Sequence, residues 1–131
     1  MRLETCARNA RSGLFADASG RLPPSRGIRP GGPSRLAGRA PFAPLLVAAL
    51  AARVPVRLSH NAGRYLCNHA YWRALELAAP HAPRLFLFVH VPKIARTVRP
   101  RARARTPAVT LADLRRAAEA VLRVLVAAGR R

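Results

Sequence analysis

The run R-L-F-L-F-V-H-V at residues 84–91 constrains the fold more than any other feature of this sequence. It is apolar at nearly every consecutive position, so a strand made from it buries both faces. Such a strand needs a sheet covered by helices on both sides. Pro92 stops it. Residues 42–53 supply one covering helix: Pro41 and Pro44 suit its approach and first turn, and Leu45, Leu46, Ala49 and Leu50 form an apolar stripe. Residues 54–59, V-P-V-R-L-S, read as a short strand with Pro55 near its start or on an edge. After a turn at 60–63, a second helix runs over 65–78, burying Leu66, Ala70, Trp72 and Leu75, and Pro80 and Pro83 end it. A third opens at Thr110, a good N-cap with Asp113 as a weak capping-box partner. Its apolar face is Leu111, Leu114, Ala118, Val121, Leu122 and Leu125, and Gly129 is its stop. Residues 10–41 and 93–107 are loops rich in proline and arginine. The order loop, helix, strand, helix, strand, loop, helix gives an α/β fold with a largely parallel sheet.

The 131 residues suit one domain. Much of the apolar half of the composition is alanine, so the core is marginal unless the sheet packs well or the chain oligomerises. The formal charge of +19 rests on arginine, and Lys93 is the only lysine. Nucleic-acid-binding proteins usually mix the two, so this charge reads mainly as compositional bias. A polybasic protein that holds polyanions non-specifically is the minority alternative. The arginines are scattered, with no aromatics interleaved. The two cysteines, Cys6 and Cys67, fit neither a zinc motif nor a Cys-x-x-Cys exchange motif. No signal-peptide run or bilayer-length apolar stretch is present. The expectation is a soluble cytoplasmic chain with reduced thiols, no membrane partner, no metal and no cofactor.

Chemistry concentrates in S-H-N-A-G-R-Y-L-C-N-H, residues 59–69. Cys67 stands just inside a helix that follows a strand, where unpaired amides and the positive end of the helix dipole stabilise a thiolate. The same amides can hold an oxyanion. A lone cysteine without further context is better read as a small buried residue. His90 ends the apolar strand, on the edge where α/β proteins bind ligands, and the helix bearing Cys67 would start at that edge too. A Cys–His pair is the minimum for a thiol hydrolase. On spacing alone, a strand-end histidine satisfied by a backbone carbonyl is slightly the better reading. Asn61 and Asn68 read as local turn and cap residues; Cys6 reads as a small apolar residue; His60, His69 and His81 follow no usable pattern.

The segment A-G-R-Y-L-C-N-H-A-Y-W-R-A-L resembles the A-G-x-Y-x-C-N-x-x-x-Y-x-x-L signature of pyroglutamyl-peptidases. F-V-H-V-P is similar to that family's histidine motif, and L-E-T-C-A-R-N to its glutamate motif, with Thr5 and Cys6 where Arg and Val are common. The resemblance implies Cys67 as nucleophile, His90 as base and Glu4 as the acidic third member, with Tyr65 and Leu66 lining the substrate pocket. It implies a three-layer sandwich, hydrolysis of the amide after an N-terminal pyroglutamyl residue, pyroglutamylated peptides as partners and a tendency to form homo-oligomers. Family members carry a first strand and a Gly/Phe-rich loop before the glutamate motif. Residues 1–131 therefore read as the C-terminal catalytic part of one domain, with the front strands of the sheet missing and activity weakened. An inactive remnant of the fold is the further alternative.

Overall fold

The computed structural model describes residues 1–78, 85–94 and 109–130. Eight elements follow one another: β1 (Arg2–Glu4), β2 (Cys6–Arg8), β3 (Arg35–Ala37), α1 (Phe42–Ala51), β4 (Arg57–Ser59), α2 (Leu66–Ala78), β5 (Phe88–His90) and α3 (Leu111–Gly129). A three-stranded sheet has the order β4-β1-β5, and a second sheet pairs β2 with β3. Thr5 passes the chain between them: its amide donates to Ser59 O at 2.7 Å, and its carbonyl accepts from the Gly38 amide at 2.7 Å.

Strand alternation sorts the side chains into two cores. On one face Leu3, Leu87 and Val89 pack with Leu45 and Ala49 of α1 and Val121 of α3. On the other, Phe86 and Phe88 pack with Tyr71, Trp72 and Leu75 of α2, together with Ala7 and Ile28. The apolar run in β5 is thus explained, because its neighbouring residues belong to different cores. The result is three layers: α1 and α3, the central sheet, then α2 with the β2–β3 sheet. Gly38 permits the third layer to close. A Cβ there would stand 2.3 Å from the Tyr71 hydroxyl and 2.7 Å from the Phe42 ring.

Several expectations need correction. The central sheet is mixed: β1 runs parallel to β4 and antiparallel to β5. Residues 10–41 are not loop throughout, since β3 pairs with β2 in register Ala7↔Leu36. The near-terminal strands β1 and β2 had no sequence signal, because three residues are too few to display a period. In α1 the stripe narrows: Leu45 and Ala49 are buried, whereas Leu50 is exposed. In α2, Leu66 and Ala70 are exposed and Asn68, Tyr71 and Ala78 are buried instead. In α3 the buried positions are Ala117 and Val121, while Leu111, Ala118 and Leu122 face outward. Alanine-rich helices offer several stripes of similar hydropathy, and the partner decides which is covered. The capping box is complete, with Thr110 Oγ1 accepting from the Asp113 amide and Asp113 accepting from the Thr110 amide. The proposed helix stops Pro80 and Pro83, His81, the start of the 84–91 strand and most of the 93–107 loop lie outside the described residues.

Candidate active site

Glu4 ends the central strand on the face opposite Leu3, and it is fully buried. His90 ends β5. The antiparallel register sets His90 beside Arg2 and Phe88 beside Glu4, so Glu4 and His90 are diagonal neighbours on one face. His90 Nδ1 lies 2.7 Å from Glu4 Oε1. An ionised carboxylate only accepts, so the hydrogen of this bond is assigned to Nδ1, leaving Nε2 with a free lone pair. Arg2 Nε, 3.5 Å from the same oxygen, adds positive charge from a half-exposed position. Glu4 Oε2 is buried and has no partner among the described residues.

The expectation that His90 shares the C-terminal strand edge with the start of α2 does not hold. It assumed a parallel strand, and β5 is antiparallel. The route from α2 to His90 instead crosses the sheet face. Tyr71, one turn after Cys67, places its ring 5.4 Å from that of Phe88, and Phe88 lies 5.2 Å from the His90 ring. The Tyr71 hydroxyl donates to Glu4 O at 3.0 Å. Burial pushes the Tyr71 phenol well above its usual range, followed by the effects of Cys6 and Glu4, so it remains a donor.

Cys67 is the second residue of α2 and is exposed. The first helical bond runs from the His69 amide to Tyr65 O at 3.1 Å. The amides of Leu66, Cys67 and Asn68 precede it and are free of helical partners. Among the described residues, no hydrogen bond joins the Cys67 thiol to His90 or Glu4. The structure therefore brings Glu4 and His90 together and leaves Cys67 as a separate, accessible thiol at a helix start.

Asn68 is not a local cap. It is fully buried, accepts from the Arg8 amide at 2.9 Å, and donates to Arg8 O at 2.8 Å and Ala10 O at 3.0 Å. It thereby pins the start of α2 to the end of β2 and the residues just after it. Asn9 was not singled out from the sequence, yet its Oδ1 accepts from the amides of Ile28 and Arg29 and its Nδ2 donates to Arg29 O. Asparagine's habit of bridging backbone segments, and the place of Asn9 and Asn68 in the two motifs L-E-T-C-A-R-N and Y-L-C-N, are the sequence signals for these residues. Asn61 does serve a local turn, with Oδ1 accepting from the Gly63 amide. Cys6 is buried and donates to His60 O at 3.4 Å, and His60 Nδ1 hydrogen-bonds Thr5 Oγ1.

Tyr65 and Leu66 border a cavity of about 330 Å³ between the start of α2 and the loop through Phe15 and Leu22. A second, more open cavity of about 520 Å³ reaches His90 from Met1, Pro55 and Pro92. No group of acidic, histidine or cysteine side chains suited to a metal occurs among the described residues. No described helix is long and apolar enough to cross a membrane.

The family described as pyroglutamyl peptidase matches residues 1–128. The chain is 31% identical over 126 residues to the pyrrolidone-carboxylate peptidase of Levilactobacillus brevis, covering 95% of this chain and 61% of that protein. It is 30% identical over 122 residues to pyrrolidone-carboxylate peptidase 2 of Streptococcus pneumoniae, covering 92% and 56%. The solved pyrrolidone carboxyl peptidase of Thermus thermophilus superposes with a TM-score of 0.73 at 32% identity, covering 95% of this chain and 62% of that one. Pyroglutamyl peptidase I of Bacillus amyloliquefaciens has the same fold, with a TM-score of 0.77 at 22% identity, covering 99% and 60%. The chain thus spans about three fifths of the length of these relatives.

Proposed function

The chain belongs to the pyroglutamyl peptidase family, and we propose that it is a cysteine exopeptidase releasing N-terminal pyroglutamate, with Cys67, His90 and Glu4 as its working residues. The part-buried Glu4–His90 hydrogen bond carries this reading. It couples two residues 86 positions apart, at 2.7 Å, on the sheet face that α2 covers. A purely structural strand-end histidine needs no buried carboxylate, and a buried carboxylate is costly unless it is hydrogen-bonded and paired, as Glu4 is by His90 and Arg2.

In this reading the Cys67 thiolate attacks the pyroglutamyl carbonyl carbon. The oxygen gains the negative charge, and the free amides at the start of α2 receive it. The step requires Cys67 Sγ to come within hydrogen-bond reach of His90 Nε2, which then takes the thiol proton and returns it to the departing amine, so the C–N bond breaks and a thioester remains. The same nitrogen then takes a proton from water, which attacks the thioester and frees pyroglutamate and the thiol. Glu4 fixes the imidazole tautomer throughout. The substrates are peptides blocked by pyroglutamate, and the setting that keeps such a thiol reduced is the cytoplasm. Membership of the family favours this reading over a polybasic nucleic-acid binder.

The test is release of a fluorophore from a pyroglutamyl amide. Cys67→Ala should abolish it and Cys6→Ser should leave most of it, since Cys6 is a buried core thiol. Equal loss from the two substitutions would sink the assignment.

A further inference from the structure

Resting on the peptidase reading, we propose that Arg2 is a positioning residue: its guanidinium is the countercharge that lets Glu4 stay a carboxylate beside a neutral His90, and so keeps His90 Nε2 bare. Residues two apart on a strand share a face, so Arg2 lies on the Glu4 side of β1, and the register sets it opposite His90. Arg2 Nε stands 3.5 Å from Glu4 Oε1, the oxygen that His90 Nδ1 meets at 2.7 Å. Both partners therefore gather on one oxygen. Glu4 Oε2 is buried and has none among the described residues.

With the imidazole neutral, the negative charge of Glu4 is balanced by Arg2. Glu4 is fully buried, where an uncompensated charge is costly. Without the guanidinium, the Glu4–His90 pair keeps a net negative charge, and one added proton removes it. That proton ends on Nε2 in either arrangement of the pair. If the carboxylate stays ionised, both ring nitrogens carry hydrogen. If the hydrogen between Nδ1 and Oε1 passes to the carboxyl, Nδ1 becomes the acceptor and Nε2 still holds the added proton. Both arrangements remove the lone pair that must take the thiol proton. Arg2 opposes the uptake with a charge that is permanent.

The other groups around the pair do not supply this charge. On β5, Phe88 sets its ring edge-on to the imidazole, 5.2 Å between centroids. On α2, the Tyr71 hydroxyl is engaged by Glu4 O rather than by the carboxylate, and burial keeps that phenol neutral. On β2, the Cys6 thiol donates to His60 O at 3.4 Å. On β4, Arg57 is the register partner of Arg2 but makes no ion pair among the described residues. The Met1 amine donates to Pro55 O, and burial, then Arg2 and Arg57, hold it below its ordinary range. The helices α1 and α3 pack on the opposite face, against Leu3.

Nitrogen NMR of the full chain with labelled histidine tests this, the His90 signals being assigned by their loss in His90→Gln. Wild type should show a protonated Nδ1 and a bare Nε2 at neutral pH. In Arg2→Gln the ratio of protonated to bare Nε2 should rise about tenfold. An opposite charge this close changes proton affinity by at least that much, and the 40% exposure of the Arg2 side chain keeps the effect at the low end. Arg2→Lys keeps the charge and should restore most of the wild-type ratio. Arg57→Gln removes a neighbouring charge that does not touch Glu4 and should leave the ratio nearly unchanged. Turnover of a pyroglutamyl amide by Arg2→Gln should fall severalfold at neutral pH with KM little altered, and the loss should shrink as rising pH strips the added proton. A wild-type Nε2 already protonated at neutral pH would overturn the proposal, even if Arg2→Gln does not fold. So would an unchanged ratio in folded Arg2→Gln, or a raised KM at unchanged kcat, which sets Arg2 against the substrate in the cavity it shares with His90. The expected NMR change in a chain that cleaves no pyroglutamyl amide supports the role of Arg2 and counts against the peptidase reading alone.

Discussion

Removing the Asn68 side chain should be the most damaging single change near the candidate nucleophile. Asn68→Ala strands three backbone groups at once: the Arg8 amide, the Arg8 carbonyl and the Ala10 carbonyl, bonded at 2.9, 2.8 and 3.0 Å. Asn68 is 0% exposed, so water cannot replace it without opening the α2–β2 contact. Each lost bond costs about 1 kcal/mol, and buried groups left unpaired add to that. The total is roughly 3–5 kcal/mol, in the exceptional tail of single substitutions. The Tm should fall by about 10–20 °C. Asn68→Asp separates hydrogen bonding from packing. It keeps the shape and the acceptor for the Arg8 amide but loses both donors and faces a carboxylate toward two carbonyls, so its cost should be comparable. Urea unfolding followed by circular dichroism reads the effect as a lowered midpoint at unchanged slope. A loss under about 1 kcal/mol for Asn68→Ala, or a neutral Asn68→Asp, would refute the view that this side chain pins α2.

Gly38→Ala forces a methyl against the Tyr71 hydroxyl, the Phe42 ring and Thr5 O, the last at 2.9 Å; the expected cost is about 3 kcal/mol. Adding Tyr71→Phe should recover part of that loss in a double-mutant cycle read by urea melts. On the proposed peptidase reading, Glu4→Gln preserves volume but no longer fixes the His90 tautomer, so turnover of a pyroglutamyl amide should fall on the order of 10³-fold, with a smaller change in KM. The Thr110 hydroxyl, then its amide, holds Asp113 below the usual aspartate range. A depressed folded value contributes stability above the unfolded value of about 3.9, lost as the pH falls through the folded value. Acid melts should therefore show wild type losing its advantage over Asp113→Asn below pH ~3.9.

The helices and the apolar β5 run were legible because each carries enough residues to show a period or a cap. Thr110 and Asp113 announced α3 by a pattern that depends on four residues only. The strands β1, β2 and β3 were not legible. Each has three residues, and Arg35–Ala37 lies among glycines and prolines, so its pairing is decided by Ala7 and by the space Gly38 leaves rather than by propensity. The direction of β5 was likewise hidden, since an apolar run reads the same in a parallel or an antiparallel ladder. That error carried into the site: His90 was expected on the Cys67 edge, whereas it meets Glu4 across the sheet face. The Glu4–His90 pairing itself came from motif resemblance, as no local rule links residues so far apart. Asn68 was misread because a side chain that bonds a distant strand looks, in sequence, like one that caps its own helix.

The central strand also dictates when this structure can assemble. β1 lies between β4 and β5, yet it precedes both in the chain, and its register pairs with them run from Arg2–Arg57 to Arg2–His90, 55 to 88 positions apart. The β1–β4 ladder cannot close before Ser59 has left a ribosome, nor the β1–β5 ladder before His90 has. Leu3 must meanwhile wait for α1 and α3, and Glu4 for His90. Long-range closures of this kind slow folding and lengthen the exposure of apolar strand edges. The carboxylate–imidazole contact is thus among the last to form during synthesis, and the thiol at the start of α2 exists before the pair proposed to act with it. Premature release or arrest before residue 90 would leave that thiol without its partner.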